Sequence, residues 1–277
     1  MKVGERMKKP FTFLVLLFSL LMLVSCSNQT LYIKEKDVVV TEKKDIPVSF
    51  LPQEMSIVSV GDSLTQGVGD STGKGGYVPY LQDLLEETKG VNKADFVNYG
   101  VRGNRSDQLL KRIKTEEVSK AIQKADGVII TIGGNDIMKV VRNNFTNLQV
   151  ESFNEQLNEY ENNLYEILSN VRTNNSNAVI ILVGVYNPFI KMFSDIKEMN
   201  QIVTDWNNTS EKVLAEYDHT YFVSIESIFE NPTSDLLYED YFHPNDQGYK
   251  LIAEAIYNKM LTAPLADILE NLQTEEN

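Results

Sequence analysis

Five short strand-like runs, each separated from the next by a longer stretch with helical spacing, restrict this chain more than any other feature. They are Ser56–Val60, Asp95–Asn98, Gly127–Ile132, Ala178–Val185 and Thr220–Ser224. Ser56-Ile57-Val58-Ser59-Val60 is compact and ends at Gly61, the pattern of a strand buried on both faces rather than one. Helical spacing marks Tyr77–Thr88, Ser106–Ala125 with one break, Ser152–Arg172, Asp195–Tyr217 and Gln247–Leu261. In the third of these, Phe153, Leu157, Tyr160, Leu164, Ile167, Leu168 and Val171 recur at steps of three and four, which reads as a core face. Such alternation predicts an α/β fold with a central parallel sheet and crossover helices on both faces. No repeat, and no Gly, Ser or Pro tract, divides Leu51–Leu261, so residues 51–277 are expected to form one domain.

The N-terminus reads as an address. Lys2, Arg6, Lys8 and Lys9 precede the apolar run Phe11–Val24, which is short against the roughly 20 residues that span a hydrocarbon core. Leu23-Val24-Ser25-Cys26 resembles the lipobox of bacterial lipoproteins, which implies a signal peptide over residues 1–25 and diacylation of Cys26. Two acyl chains hold a protein at a membrane stably where one does not. Cys26 is the only cysteine, so the chain has no internal disulfide. Residues 26–50 read as a polar spacer, with Val38-Val39-Val40 as an alternative short edge strand. The expected location is therefore the outer face of a cell membrane.

Charge narrows the partners. The chain carries 26 Lys plus Arg against 39 Asp plus Glu, a net −13, so it lacks the basic footprint of a nucleic-acid binder. The expected leader holds four of the basic residues and one acidic one, so the remainder is more acidic still and attachment to a membrane falls to the lipid.

Four stretches carry the chemistry: Gly61-Asp62-Ser63-Leu64, Asn98–Asn104, Gly133-Gly134-Asn135-Asp136 and Asp240-Tyr241-Phe242-His243-Pro244. The first three lie at the ends of predicted strands, where parallel sheets bind ligands. A serine hydroxyl needs a base to become a nucleophile, and His243 is one of only two histidines. Asp240, three residues before it, is spaced to accept from one ring nitrogen and leave the other facing Ser63. Backbone N–H groups of Ser63 and Gly103 and the Asn135 amide are candidate donors to an oxyanion.

Together these stretches resemble the SGNH subgroup of the GDSL esterase and lipase family, over roughly Ser56–Leu261. The resemblance maps the family's Ser, Gly, Asn and His markers onto Ser63, Gly103, Asn135 and His243. It implies Ser63 as nucleophile, Asp240 and His243 as the rest of a triad, and Ser63, Gly103 and Asn135 as the oxyanion hole. It also implies a flavodoxin-like three-layer α/β/α sandwich. Gly100 competes with Gly103, and Gly103 is preferred because Asn98 stands five residues before it. Arg102 and Arg105 lie outside the general pattern.

Other classes fall away. Two histidines and one committed cysteine leave no zinc-ligand spacing, and no metal or other cofactor is expected. Thr65 stands where a Gly-x-Ser-x-Gly elbow needs its last glycine. The glycines from Gly67 to Gly76 match neither a dinucleotide nor a P-loop motif and read as a flexible loop. Asp136 is expected to cap its own helix, and His219 to be structural. The sequence thus predicts a serine esterase acting on lipid acyl or short-chain esters. Alternatives are an O-acetylesterase of envelope polysaccharide, and a binding lipoprotein without turnover. Tyr186–Phe193 is expected either to line an acyl site or to pack in the core.

Overall fold

Strands β1 (Gln53–Gly61), β2 (Val91–Gly100), β3 (Gly127–Thr131), β4 (Val179–Val183) and β5 (Thr220–Val223) lie parallel in one sheet, in the order β2-β1-β3-β4-β5. The computed structural model describes residues 51–144, 146–188, 197–230 and 235–275. The readings for residues 1–50, including the Cys26 anchor and the Val38–Val40 strand, lie outside the described residues, as do Ile190, Met192, Phe193 and the expected helix start at Asp195.

Strand side chains alternate between two cores, which is why the central strands read as unbroken apolar runs. Val58, Val60, Val128, Ile130, Ile180 and Leu182 face one side. There they pack under helices α3 (Ser106–Ile113), α4 (Glu116–Gln123), α5 (Gly134–Asn143), α6 (Val150–Asn174) and α7 (Lys197–Leu214). Met55, Ile57, Ile129, Val179, Ile181 and Val183 face the other side, under α2 (Tyr77–Glu86), α8 (Glu226–Glu230), α9 (Asp246–Met260) and α10 (Pro264–Glu275). The result is the three-layer α/β/α sandwich expected from the sequence, with flavodoxin-like strand order.

Three local differences have physical reasons. Strand β2 is longer than its apolar run because it is an edge strand, whose exposed positions hold Asn92, Lys93 and Asp95. Helix α10 is additional: Pro264 opens it, and Leu265, Ile268 and Leu269 are buried at helical spacing against the second core. The glycine-rich stretch is wound round the Asp70 carboxylate, which accepts from the backbone amides of Thr72, Lys74, Gly75 and Gly76, so these glycines serve a tight turn rather than looseness.

Strand order places the site. The chain runs from β1 to β2 on one side and returns to β3 on the other, so the crossovers part at the carboxyl ends of β1 and β3. Gly61 pairs with both Gly100 and Thr131, which brings the ends of β1, β2 and β3 level at that edge.

Candidate active site

Ser63 opens the short helix α1 (Ser63–Gln66) directly beyond β1. Asp62, not Ser63, caps this helix: its Oδ1 accepts from the Leu64 amide at 3.0 Å. The same oxygen accepts from the Thr131 hydroxyl at 2.9 Å. That hydroxyl lies 2.9 Å from Thr65 Oγ1, which lies 3.2 Å from the Tyr77 hydroxyl. A buried polar chain therefore fastens the turn that carries Ser63 to the end of β3 and to α2. Gly61 is required here: its φ is +150°, and a Cβ would stand 2.2 Å from the Thr131 carbonyl oxygen.

His243 reaches this turn from the loop before α9. Its Nε2 lies 2.9 Å from Ser63 Oγ, and its Nδ1 lies 2.6 Å from Asp240 Oδ2. Asp240 Oδ1 also accepts from the backbone amides of Phe242 and His243, each at 3.0 Å, so the carboxylate shapes the turn as well as orienting the ring. Ser63 and His243 are buried, and the ring stands edge-on to Phe242 with centroids 5.0 Å apart. This is a continuous Ser–His–Asp relay.

The three proposed oxyanion donors are placed differently. As the first residue of α1, Ser63 has an amide with no intrahelical acceptor. Asn135, in the first turn of α5, spends one Nδ2 hydrogen on the Asn104 carbonyl at 3.1 Å and lines the cleft beside Ser63. Gly103 stands in the loop after β2 with φ +79° and open space beside it, exposed and outside the cleft's lining. Gly100 is the packed glycine, since a Cβ there would meet the Gln66 amide nitrogen at 2.1 Å.

Arg112, which sequence reasoning missed, holds this loop. Its guanidinium donates to the Tyr99 carbonyl at 2.7 Å and to Asn104 Oδ1 at 3.2 Å. The Val101 amide adds a 3.0 Å bond to the Gly61 carbonyl. The two arginines left open by the motif lie nearby: Arg105 pairs with Asp107 at 3.0 Å, and the Arg102 amide donates to Gln66 Oε1. Asp136 does not cap its own helix. It accepts from the Ser106 amide at 3.0 Å and hydroxyl at 2.6 Å, because the first turn of α5 backs onto the start of α3. His219 sits away from the site and pairs with Asp267 at 2.9 Å.

A cleft opens beside Ser63, Asn135 and His243. Its walls are apolar: Leu64, Ile132, Ile137, Met138, Val185, Tyr186, Pro188, Met199, Val203 and Phe242. Among the described residues, no three His, Cys, Asp or Glu side chains gather in a way that would hold a metal ion.

A parallel sheet with a Ser–His–Asp relay at its switch point, beside an apolar cleft, is the architecture of a hydrolase. Residues 59–251 match the model of the GDSL-like lipase/acylhydrolase family, and the chain belongs to that family. It is thus placed among carboxylic ester hydrolases. It is 46% identical over 207 residues to the uncharacterized protein YpmR of Bacillus subtilis (strain 168), covering 74% of this chain and 81% of that one. Among solved structures it resembles the lipase Lip_vut3 from a goat rumen metagenome, with a TM-score of 0.67 at 21% identity, over 74% of this chain and 97% of that one. It also resembles the acetylxylan esterase Axe2 of Geobacillus stearothermophilus, with a TM-score of 0.56 at 24% identity, over 76% and 95%.

Electrostatics divide the site's carboxyls. Burial would raise Asp240, but bonds from the His243 ring and from the two amides outweigh it and hold the carboxyl below its ordinary value. Burial dominates at Asp62, which rises to about 7 despite its bonds from Leu64 and Thr131, with the Asp136 charge adding to the rise. Burial likewise lifts Asp136 to about 6 against the bonds from Ser106. Between the ordinary value of 3.8 and about 7, the unfolded chain has lost the Asp62 proton while the folded one keeps it. Raising the pH through that window therefore costs stability, by up to about tenfold in the unfolding equilibrium per pH unit. Asp62→Asn removes this contribution and leaves that of Asp136 in place. Urea unfolding of the two proteins from pH 4 to 7 should show the variant gaining on the parent as pH rises; parallel curves would contradict the burial argument.

Proposed function

We propose that this protein is a serine esterase that hydrolyses esters of apolar acyl groups through an acyl-enzyme. The observation that carries the reading is the relay of 2.9 and 2.6 Å from Ser63 through His243 to Asp240, opening on an apolar cleft. Ser63 Oγ attacks the ester carbonyl carbon as its proton passes to His243 Nε2, and Asp240 stabilises the imidazolium. The developing oxyanion takes hydrogen bonds from the Ser63 amide and the free Nδ2 hydrogen of Asn135, the two candidate donors that line the cleft. The intermediate collapses as the leaving alcohol receives the proton from His243. Water, deprotonated by the same nitrogen, then attacks the acyl-serine, and the acid leaves as His243 returns the proton to Ser63 Oγ.

The cleft walls support an apolar acyl group. An acetyl group would leave most of the cleft's apolar surface unused, whereas each methylene of a longer chain gains from burial there. Tyr186 and Pro188, from the segment expected either to line an acyl site or to pack in the core, are among the residues that line the cleft. The reading also keeps Cys26 as a diacylated anchor outside the membrane, on the strength of its sequence context alone.

Ser63→Ala should abolish both hydrolysis and fluorophosphonate labelling, and Asn135→Ala should lower kcat by roughly 10²–10³-fold; a Ser63→Ala protein that still turned over would remove the mechanism. Across p-nitrophenyl esters from acetate upward, kcat/KM should climb about fourfold per methylene until the cleft is filled. A maximum at acetate, with release of acetate from O-acetylated wall polymer, would favour the carbohydrate reading instead. Cells fed radiolabelled palmitate should label the full chain and leave Cys26→Ala unlabelled; equal labelling would dismiss the anchor.

A further inference from the structure

Ser63 is locked to the sheet by the polar chain beneath it, but His243 arrives on a turn whose own bonds are mostly internal. The Tyr238 amide donates to the His243 carbonyl at 2.7 Å, and the Tyr241 amide to the Tyr238 carbonyl at 2.9 Å. With Asp240 they define the turn's shape without attaching it to the strands. Glu239, Asp240 and Tyr241 are exposed, and Tyr241 has φ +55°, an uncommon conformation for a residue other than glycine.

An attachment comes from Tyr186, three residues beyond the end of β4. Its hydroxyl donates to the Phe242 carbonyl at 2.5 Å. Its ring stacks on Phe229 of α8 with centroids 4.0 Å apart and planes 20° apart. The peptide between Phe242 and His243 is consequently held at both poles: its carbonyl accepts from Tyr186, and its N–H donates to Asp240 at 3.0 Å. Bonds in series through one peptide polarise one another, so each end strengthens its counterpart.

We infer that Tyr186 is a positioning residue for the base. Its hydroxyl sets the plane of the peptide from which the imidazole hangs, and so sets the distance between His243 Nε2 and Ser63 Oγ. This deepens the proposed function and rests on its assignment of Ser63 and His243. The ring of Tyr186 also lines the cleft, so the hydroxyl has to be tested apart from the ring. Tyr186→Phe does this, because the phenyl ring keeps both the wall and the stacking on Phe229.

Misplacing a reacting group by an ångström is enough to cost about 10²-fold in rate. Tyr186→Phe should therefore lower kcat roughly tenfold to a hundredfold with KM unchanged, and slow fluorophosphonate labelling of Ser63 by the same factor. Unchanged kcat and labelling, or a change confined to KM, would overturn the inference. Circular-dichroism melting of the variant, with Phe229→Leu alongside, separates positioning from unfolding. Phe229→Leu leaves the hydroxyl but loosens the ring, and should give a smaller fall in kcat, again without a change in KM; a rise in KM alone would count against the inference. Ser63→Ala run in parallel keeps the two claims distinct. If it remains active, the catalytic reading fails; if it is inactive while Tyr186→Phe is unimpaired, only the positioning role fails.

Discussion

The hydrogen bond between Ser63 Oγ and His243 Nε2 joins residues 180 positions apart, and the rest of the molecule can be understood as what makes that one bond reproducible. One partner stands at the end of a strand buried from Met55 nearly throughout, in register with β2 and β3. The other stands on a turn closed by an antiparallel bridge between Leu237 and Pro244 and followed at once by α9. Helix α9 returns the favour through Tyr249, whose hydroxyl donates to the Val68 carbonyl at 2.7 Å and so ties the two loops from behind.

Beneath the serine, the fold buries a run of polar side chains. Thr65, Thr131 and Asp62 are all buried, and each satisfies the next, which is the condition under which buried polar groups are affordable. Burial holds the carboxyl at the end of this chain well above its ordinary value, at about 7. It stands one residue before Ser63, whereas the Asp240 carboxyl on the far side of the ring is held below its ordinary value.

Much of this was legible in the sequence, for reasons that differ by element. Strands β3 and β4 are central and covered on both faces, so their apolar runs could not be mistaken. Asp240 and His243 are close in sequence, and a spacing of three already suggests a shared turn. Local patterns of this kind need no knowledge of the fold. Arg112, Thr131 and the Tyr186 hydroxyl were not legible because their partners, Tyr99 and Asn104, Asp62, and Phe242, are fixed by strand order rather than by neighbouring residues. Helix α10 had a signal in Pro264, Leu265, Ile268 and Leu269, but it follows the last motif and was passed over. Asp136 was assigned to the nearest helix end, when the open amide it satisfies belongs to a helix thirty residues earlier.

Leu64, Phe242 and Tyr186 join the cleft wall to the Ser63–His243–Asp240 triplet, but much of the wall comes from elsewhere in the chain. The relay is carried by α1 and by the turn before α9, whereas Ile137 and Met138 come from α5, Val185 and Pro188 from the segment after β4, and Met199 and Val203 from α7. Those six wall residues can therefore be substituted without altering the Ser63, His243 or Asp240 side chains. Drift or design in that second set reshapes the cleft without moving an atom of the Ser63–His243–Asp240 triplet, so homologues can differ in what the cleft admits while keeping one arrangement of those three side chains.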